Sequence, residues 1–233
     1  MITEERLVNY IRSLEPDRSA RLDRIRRESL AAEIPIIRDE TAAFLRCIIR
    51  MRKPRRILEL GTASGYSALT MAEVMPADAE ILTVEKVPAR HRLAEKNFRE
   101  AGEEARITLL REDITGLLPE LIRAGRQYDI IFLDAAKAQY PRWLPLLVKL
   151  LPEGGVLLAD NVLQDGSIVE SRFLIERRDR TIHERMRTFL FRIKHDPGLE
   201  TAVLPLGDGL SISIRTGETL SNDQDAVQEA DGK

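Results

Sequence analysis

Cysteine is nearly absent: Cys47 is the only one in 233 residues. That excludes an internal disulfide and any thiolate metal cluster. Its place in the apolar-patterned stretch Phe44 to Ile49 predicts a packed, inert thiol. Aromatic residues make up 5% of the chain, which speaks against a pocket walled by flat rings. No long apolar run is present either. The longest, Ile130 to Leu133 and Val156 to Ala159, are strand-sized, and the first residues, Met1-Ile2-Thr3-Glu4-Glu5, lack a basic and apolar leader. The expectation is a protein of the cytoplasm with no membrane partner.

Hydrophobic residues make up 43% of the chain, enough to bury the core of one domain, expected to span residues 1–216. The formal charge of −2 misleads, because the last residues hold Glu218, Asp223, Asp225, Glu229 and Asp231 against Lys233 alone. Without that tail the balance turns slightly positive. Polar, free of aromatics and aperiodic, residues 217–233 are expected to be a disordered acidic tail, so the fold should end near Arg215.

From Glu4 to Leu30 apolar residues recur at helical spacing, as Leu7, Ile11, Leu14, Leu22 and Ile25. This predicts two short helices broken at Pro16, then a third over Arg38 to Met51 that runs into the basic turn Arg52 to Arg56. Short apolar strands then alternate with amphipathic helices, the pattern of a parallel sheet built from right-handed crossovers. The strands predicted are Ile57 to Leu60, Glu80 to Val84, Arg106 to Leu110, Tyr128 to Leu133, Gly155 to Ala159, Glu200 to Leu204 and Leu210 to Ile214. Pro205 to Gly209 is too short for a crossover helix, so the last two strands must form an antiparallel hairpin. The predicted fold is therefore α/β, a Rossmann-like, mostly parallel seven-stranded sheet with an antiparallel C-terminal hairpin and extra N-terminal helices. That is the layout of class I methyltransferases.

The stretch Ile57 to Ser67 reads as a strand, a glycine turn and a helix start. Gly61 lets the backbone approach a ligand at the carboxyl end of the first strand, where open α/β sheets bind their ligands. A dinucleotide site would show G-x-G-x-x-G. Here the spacing is G-x-x-x-G, and Glu59 sets a carboxylate before the turn, which repels a pyrophosphate but suits the cationic methionine end of S-adenosylmethionine. Glu85 ends the second strand, where a ribose-binding acid sits in such folds. Asp113 follows the third strand, where an adenine contact is expected. Singly, each acid reads more readily as a solvated loop residue than as a ligand contact. Their order along successive strand ends is what carries the ligand reading.

Two further strands end in acids, at Asp134 and at Asp160-Asn161. If those strands are neighbours, ~4.8 Å apart, the three side chains converge at the ligand edge of the sheet. An all-oxygen set without His or Cys favours magnesium or another hard divalent cation. Helix capping is the alternative for either acid alone.

On these residues the sequence resembles the metal-dependent O-methyltransferases that include the catechol and caffeoyl-CoA enzymes. The motifs are the turn Glu59 to Ser67, Asp134-Ala135-Ala136-Lys137 and Asp160-Asn161, and the likeness runs from about Ile34 to Arg215. Within that family, Asp134 to Tyr140, Asp160 to Leu163, the Arg-rich insert and Pro205 to Leu210 resemble the bacterial enzymes that methylate 5-hydroxyuridine at the wobble position of tRNA. The loop Gln164-Asp165-Gly166 departs from them.

The resemblance implies that Asp134, Asp160 and Asn161 hold magnesium. It implies that Ile37, Ser67, Glu85, Asp113, Ile114 and Asp134 contact S-adenosylmethionine, together with Glu59, Gly61 and Tyr66 of the glycine turn. Lys137 would act as the catalytic base beside Asp134, its pKa depressed by the neighbouring cation. A plain salt bridge is the alternative for Lys137. A tRNA anticodon stem-loop would be the partner, and the enzyme a homodimer.

Phosphate contacts come mainly from Lys and Arg. The run Arg46 to Arg56 holds six basic residues and no acid. The insert Leu163 to Lys194 adds Arg172, Arg177, Arg178, Arg180, Arg185, Arg187, Arg192 and Lys194, of which Arg177, Arg178 and Arg180 are the candidate RNA-binding residues. Such runs are also common as solvated faces. Two rival functions stay open: a methyltransferase of small catechol-like or phenolic hydroxyls, with its pocket near Tyr140 and Trp143, and a non-catalytic module that binds the cofactor and docks through its N-terminal helices.

Overall fold

The computed structural model describes residues 4–217, so residues 218–233 of the expected tail lie outside the described residues. Three helices come first: α1 (Glu5–Ser13), α2 (Ala20–Ala31) and α3 (Asp39–Arg52). The chain breaks between α1 and α2 at Pro16 as expected, and Ser19 opens α2 by accepting a hydrogen bond from the Leu22 backbone. Strands and helices then alternate through β1 (Arg56–Leu60), α4 (Tyr66–Ala72), β2 (Glu80–Val84), α5 (Pro88–Ala101), β3 (Ile107–Leu110), α6 (Ile114–Arg123), β4 (Ile130–Leu133), α7 (Tyr140–Lys149) and β5 (Val156–Ala159). After the insert, α8 (Arg180–His195) leads to β6 (Leu199–Leu204) and β7 (Leu210–Arg215).

The seven strands form one sheet in the order β3-β2-β1-β4-β5-β7-β6. The first five are parallel; β7 is antiparallel to both β5 and β6, which makes the predicted hairpin. Alternation along each strand assigns the two cores. Ile57, Ile81, Ile130 and Phe132 face α2 to α5, while Leu58, Ile131, Leu133 and Leu157 face α6 to α8. Because β4 pairs with β5 in the register Leu133 to Ala159, Asp134 and Asp160 leave the sheet side by side.

Cys47 departs from its expected burial. It is exposed, because the core-facing stripe of α3 is Leu45, Ile48 and Ile49, and at 100° per residue position 47 points outward.

Candidate active site

The strand order reverses direction between β1 and β4, and a cavity of about 660 Å³ opens at the carboxyl ends of the strands there. This is where open α/β sheets bind ligands, and the volume lies within the ordinary range of small-molecule pockets. Gly61 forms one side with φ +110°, and a Cβ on it would stand 2.0 Å from the carbonyl oxygen of Asp134. Only glycine allows the β1 turn to pass this close to the end of β4.

The acids divide between wall and support. Glu85 and Asp113 line the cavity, as does Ile114. Glu85 accepts backbone hydrogen bonds from Ala63 (3.0 Å) and Val87 (2.8 Å), which ties the glycine turn to the end of β2. Asp113 caps α6 through the Thr115 amide at 2.8 Å, and that bond, helped by Lys86, holds its pKa below the usual carboxylate range. Glu59 stands behind the wall, fully buried, accepting from the Ser67 and Thr83 hydroxyls at 2.5 Å each. Ser67 is thus engaged with Glu59. Ile37 is buried in the core between the cavity-lining Ile36 and Arg38, and Tyr66 lines a separate space of about 80 Å³ beside Arg18 and Asp39. The predicted cofactor set is therefore split: Gly61, Glu85, Asp113, Ile114 and Asp134 share one cavity, while the side chains of Ile37, Glu59, Tyr66 and Ser67 form its backing.

Asp134, Lys137, Asp160 and Asn161 share the opposite wall. Neither acid caps a helix: Asp134 accepts from Lys137 Nζ at 2.6 Å, and Asp160 accepts the Asn161 backbone N–H at 2.9 Å. Asp160 is 3% exposed, and burial together with the Asp134 carboxylate raises its pKa. Lys137 differs from expectation. Burial opposes its charge, but the Tyr140 oxygen and the Asp134 carboxylate outweigh burial and raise its pKa. With protein groups alone around it, Lys137 is a cation in an ion pair, and the depressed pKa expected from a neighbouring cation is not what these groups produce. Tyr140, expected near the substrate, is buried beneath the loop and braces it by donating to the Leu133 carbonyl (3.1 Å) and accepting from the Ala135 amide (3.3 Å). Trp143 does line the cavity and donates to Thr115 Oγ1 at 3.2 Å.

Among the described residues, no three His, Cys, Asp or Glu side chains gather at a spacing that could hold a metal ion. The predicted set is two carboxylates and an amide. It fits a hard divalent cation: all its donors are oxygens, and a cation would offset the burial and the Asp134 repulsion that together raise the Asp160 pKa.

Sequence reasoning missed Arg38 and Asp208. Arg38, just before α3, lines the cavity, donates to Asp165 at 2.8 Å and pairs with Asp208. Asp208 in turn accepts from the Asn161 side-chain amide at 2.6 Å. Asp208 lies within the Pro205 to Leu210 motif, but nothing in local spacing assigns it a partner 47 residues away.

The insert arginines divide as well. Arg178 pairs with Glu176 (3.0 Å) and Asp179 (3.5 Å), and Arg180 donates to the Ile175 and Phe173 carbonyls. Arg177 is exposed.

This fold and cavity define a Rossmann-like methyltransferase. The chain matches the O-methyltransferase family over residues 13–216, and it belongs to that family. It is 28% identical to tapetum-specific methyltransferase 1 of Arabidopsis thaliana over 88% of either chain. It is 32% identical to a catechol O-methyltransferase of Niastella koreensis over 54% of this chain and 58% of that one. Among solved structures, an O-methyltransferase from Bacillus cereus in complex with SAH shares the fold, with a TM-score of 0.81 at 22% identity over 93% of this chain and 100% of the other.

Proposed function

We propose that this chain is an S-adenosylmethionine-dependent O-methyltransferase that uses a hard divalent cation, magnesium first, and methylates 5-hydroxyuridine at the tRNA wobble position to 5-methoxyuridine. One observation carries the chemistry: Asp134, Lys137, Asp160 and Asn161 face Glu85 and Asp113 across a single cavity. Glu85 and Asp113 are the residues for the ribose and adenine. Asp134, Asp160 and Asn161 would hold the cation, which when bound lowers the pKa of a coordinated hydroxyl. Lys137 handles charge at the reacting oxygen: as an ammonium it stabilises the oxyanion, and when neutral it accepts the hydroxyl proton. The rest of the work is positioning of the hydroxyl in line with the methyl group.

The tRNA reading is supported by the motifs shared with the wobble-uridine enzymes and by the arginine-dense insert that follows Asn161. A second reading, methylation of small catechol-like or phenolic hydroxyls, is supported by the catechol methyltransferase relative and by Trp143 in the cavity wall. 5-Hydroxyuridine, through its 5-hydroxyl and O4, and a catechol, through its two hydroxyls, each offer two neighbouring exocyclic oxygens to one cation. Mass spectrometry of tRNA nucleosides from cells with and without this protein decides: loss of 5-methoxyuridine with gain of 5-hydroxyuridine supports the first reading. An unchanged profile, with purified enzyme turning over catechols, establishes the second.

The homodimer is proposed on a separate ground. Leu7, Tyr10, Ile11 and Leu14 give α1 an exposed apolar stripe that a second copy would cover, and light scattering of wild type against Ile11→Glu tests it. No helix among the described residues is long and apolar enough to cross a membrane.

A further inference from the structure

Within the insert, Ile168 and Ile175 are buried at 7% and 9% exposure, and every residue between them is exposed. Three of those six are large and apolar: Val169 at 83%, Phe173 at 84% and Leu174 at 74%. An apolar surface left in water this completely, on a turn pinned at both ends, marks a contact site. Its neighbours carry both charges. Arg172 pairs with Glu184 at 3.5 Å and Arg178 with Glu176 and Asp179, exposed surface pairs weak enough for a phosphate to displace, and the exposed Arg177 follows two residues after the second anchor.

The turn is also held in place relative to the cavity. Its N-terminal side starts from Gln164, which lines the cavity. On its other side Arg180 donates to the Phe173 and Ile175 carbonyls, and Arg185 on α8 donates to the Ala138 carbonyl, one residue beyond Lys137. Arg180, expected to touch RNA, is spent on fixing the turn.

We propose that residues 169–174 form a stacking platform for an unpaired base of a single-stranded RNA loop, with Phe173 as the ring and Arg172, Arg177 and Arg178 as the phosphate contacts around it. This deepens the tRNA reading and rests on it. An exposed aromatic ring interleaved with guanidiniums is the chemistry by which proteins hold unstacked bases: the ring offers a sequence-tolerant π-face and the arginines neutralise the backbone. A purely apolar partner surface would leave these guanidiniums without acceptors. A double-stranded stem would offer no base to the ring.

The test is fluorescence anisotropy of the full chain with a labelled anticodon stem-loop RNA carrying uridine at the wobble position, across a range of salt. Phe173→Ala should weaken binding about tenfold and leave the salt slope unchanged, because no charge is lost. Phe173→Tyr should restore binding. Replacing Arg177 and Arg178 together by Ala should flatten the slope instead. Phe173 is too exposed for its loss to threaten the fold, and unchanged S-adenosylmethionine affinity confirms this. If wild type binds the RNA and Phe173→Ala binds equally well, the platform is overturned and the tRNA reading stands. If wild type binds no RNA, both fall; a simultaneous drop from dimer to monomer in Phe173→Ala would then assign the turn to self-association.

Discussion

Asn161 donates its side-chain amide to Asp208 over 2.6 Å, and this bond fixes which end of the amide faces the cavity. The nitrogen is turned toward Asp208, so the oxygen remains for the site shared with Asp134 and Asp160. Asn161 sits at φ +60°, a left-handed conformation that asparagine tolerates better than most residues. Arg38 completes the chain by pairing with Asp208, which links the start of α3 to the proposed cation site.

Asp208→Ala should therefore weaken divalent-cation binding about tenfold, within the range for residues that orient a metal ligand, while S-adenosylmethionine affinity stays the same. Calorimetric titration of Mg²⁺ or Mn²⁺ reads this directly. Unchanged cation affinity would mean that the orientation of Asn161 does not matter or that Asn161 is no ligand.

Glu59 predicts a pH effect on stability. Burial raises its pKa to about 7, although hydrogen bonds from Ser67 and Thr83 pull the other way. In the unfolded chain the same group titrates near ~4.3. The folded state binds the proton more tightly, so this stabilisation is complete below the unfolded pKa and is lost as pH rises through about 7. The loss amounts to about 4 kcal/mol over that window. Glu59→Gln stays neutral, and its denaturation midpoint should drop less between pH 4.5 and pH 8 than that of wild type. Parallel pH profiles for the two proteins would show that Glu59 keeps an ordinary pKa.

Gly61→Ala should be severe. The new Cβ would collide with backbone at Asp134 and not with a flexible side chain, and φ +110° is strained for alanine. A loss of about 3 kcal/mol or more is expected in thermal unfolding, with cofactor binding abolished. A variant that melts within a degree or two of wild type would mean that the two turns are not held this close.

The sheet was legible because its signals are local: apolar runs of strand length, Gly61 at a turn, and acids directly after β2, β4 and β5. Neighbouring placement of β4 and β5 then brought Asp134 and Asp160 together with no further information. What was illegible depends on direction and on distant partners. Glu59 faces inward to Ser67 and Thr83, which follows from strand parity only once the sheet's faces are known. Cys47 looked apolar by composition yet lies off the buried stripe of its helix. The Arg38–Asp208–Asn161 chain joins three segments far apart in sequence. Charge counting also treated the insert arginines alike, whereas Arg180 is folded back onto carbonyls of its own turn.

Asp160→Asn separates the cation from the fold. In wild type without a cation, Asp160 is buried beside Asp134, and both effects raise its pKa. Its ionisation therefore costs stability: the folded state prefers the protonated form, so stability is lost as pH rises through the raised folded pKa. Asparagine keeps the shape and can still accept the Asn161 backbone N–H now received by the carboxylate. In chelator at pH 8 the variant should melt higher than wild type, by about 2–4 °C for each kcal/mol relieved in a chain of this size, and the gain should shrink toward pH 5. Adding magnesium should reverse the order. Wild type should gain about 2.7 kcal/mol when the ion reaches a hundred times its dissociation constant, and Asp160→Asn should gain almost nothing and lose cation-dependent turnover. S-adenosylmethionine binding should survive, since Glu85, Asp113 and Asp134 are untouched. Differential scanning calorimetry with and without chelator covers both halves. A wild-type protein that shows no magnesium-dependent shift and keeps full activity in chelator would remove the cation from the mechanism and leave Lys137 as the only group at the reacting oxygen.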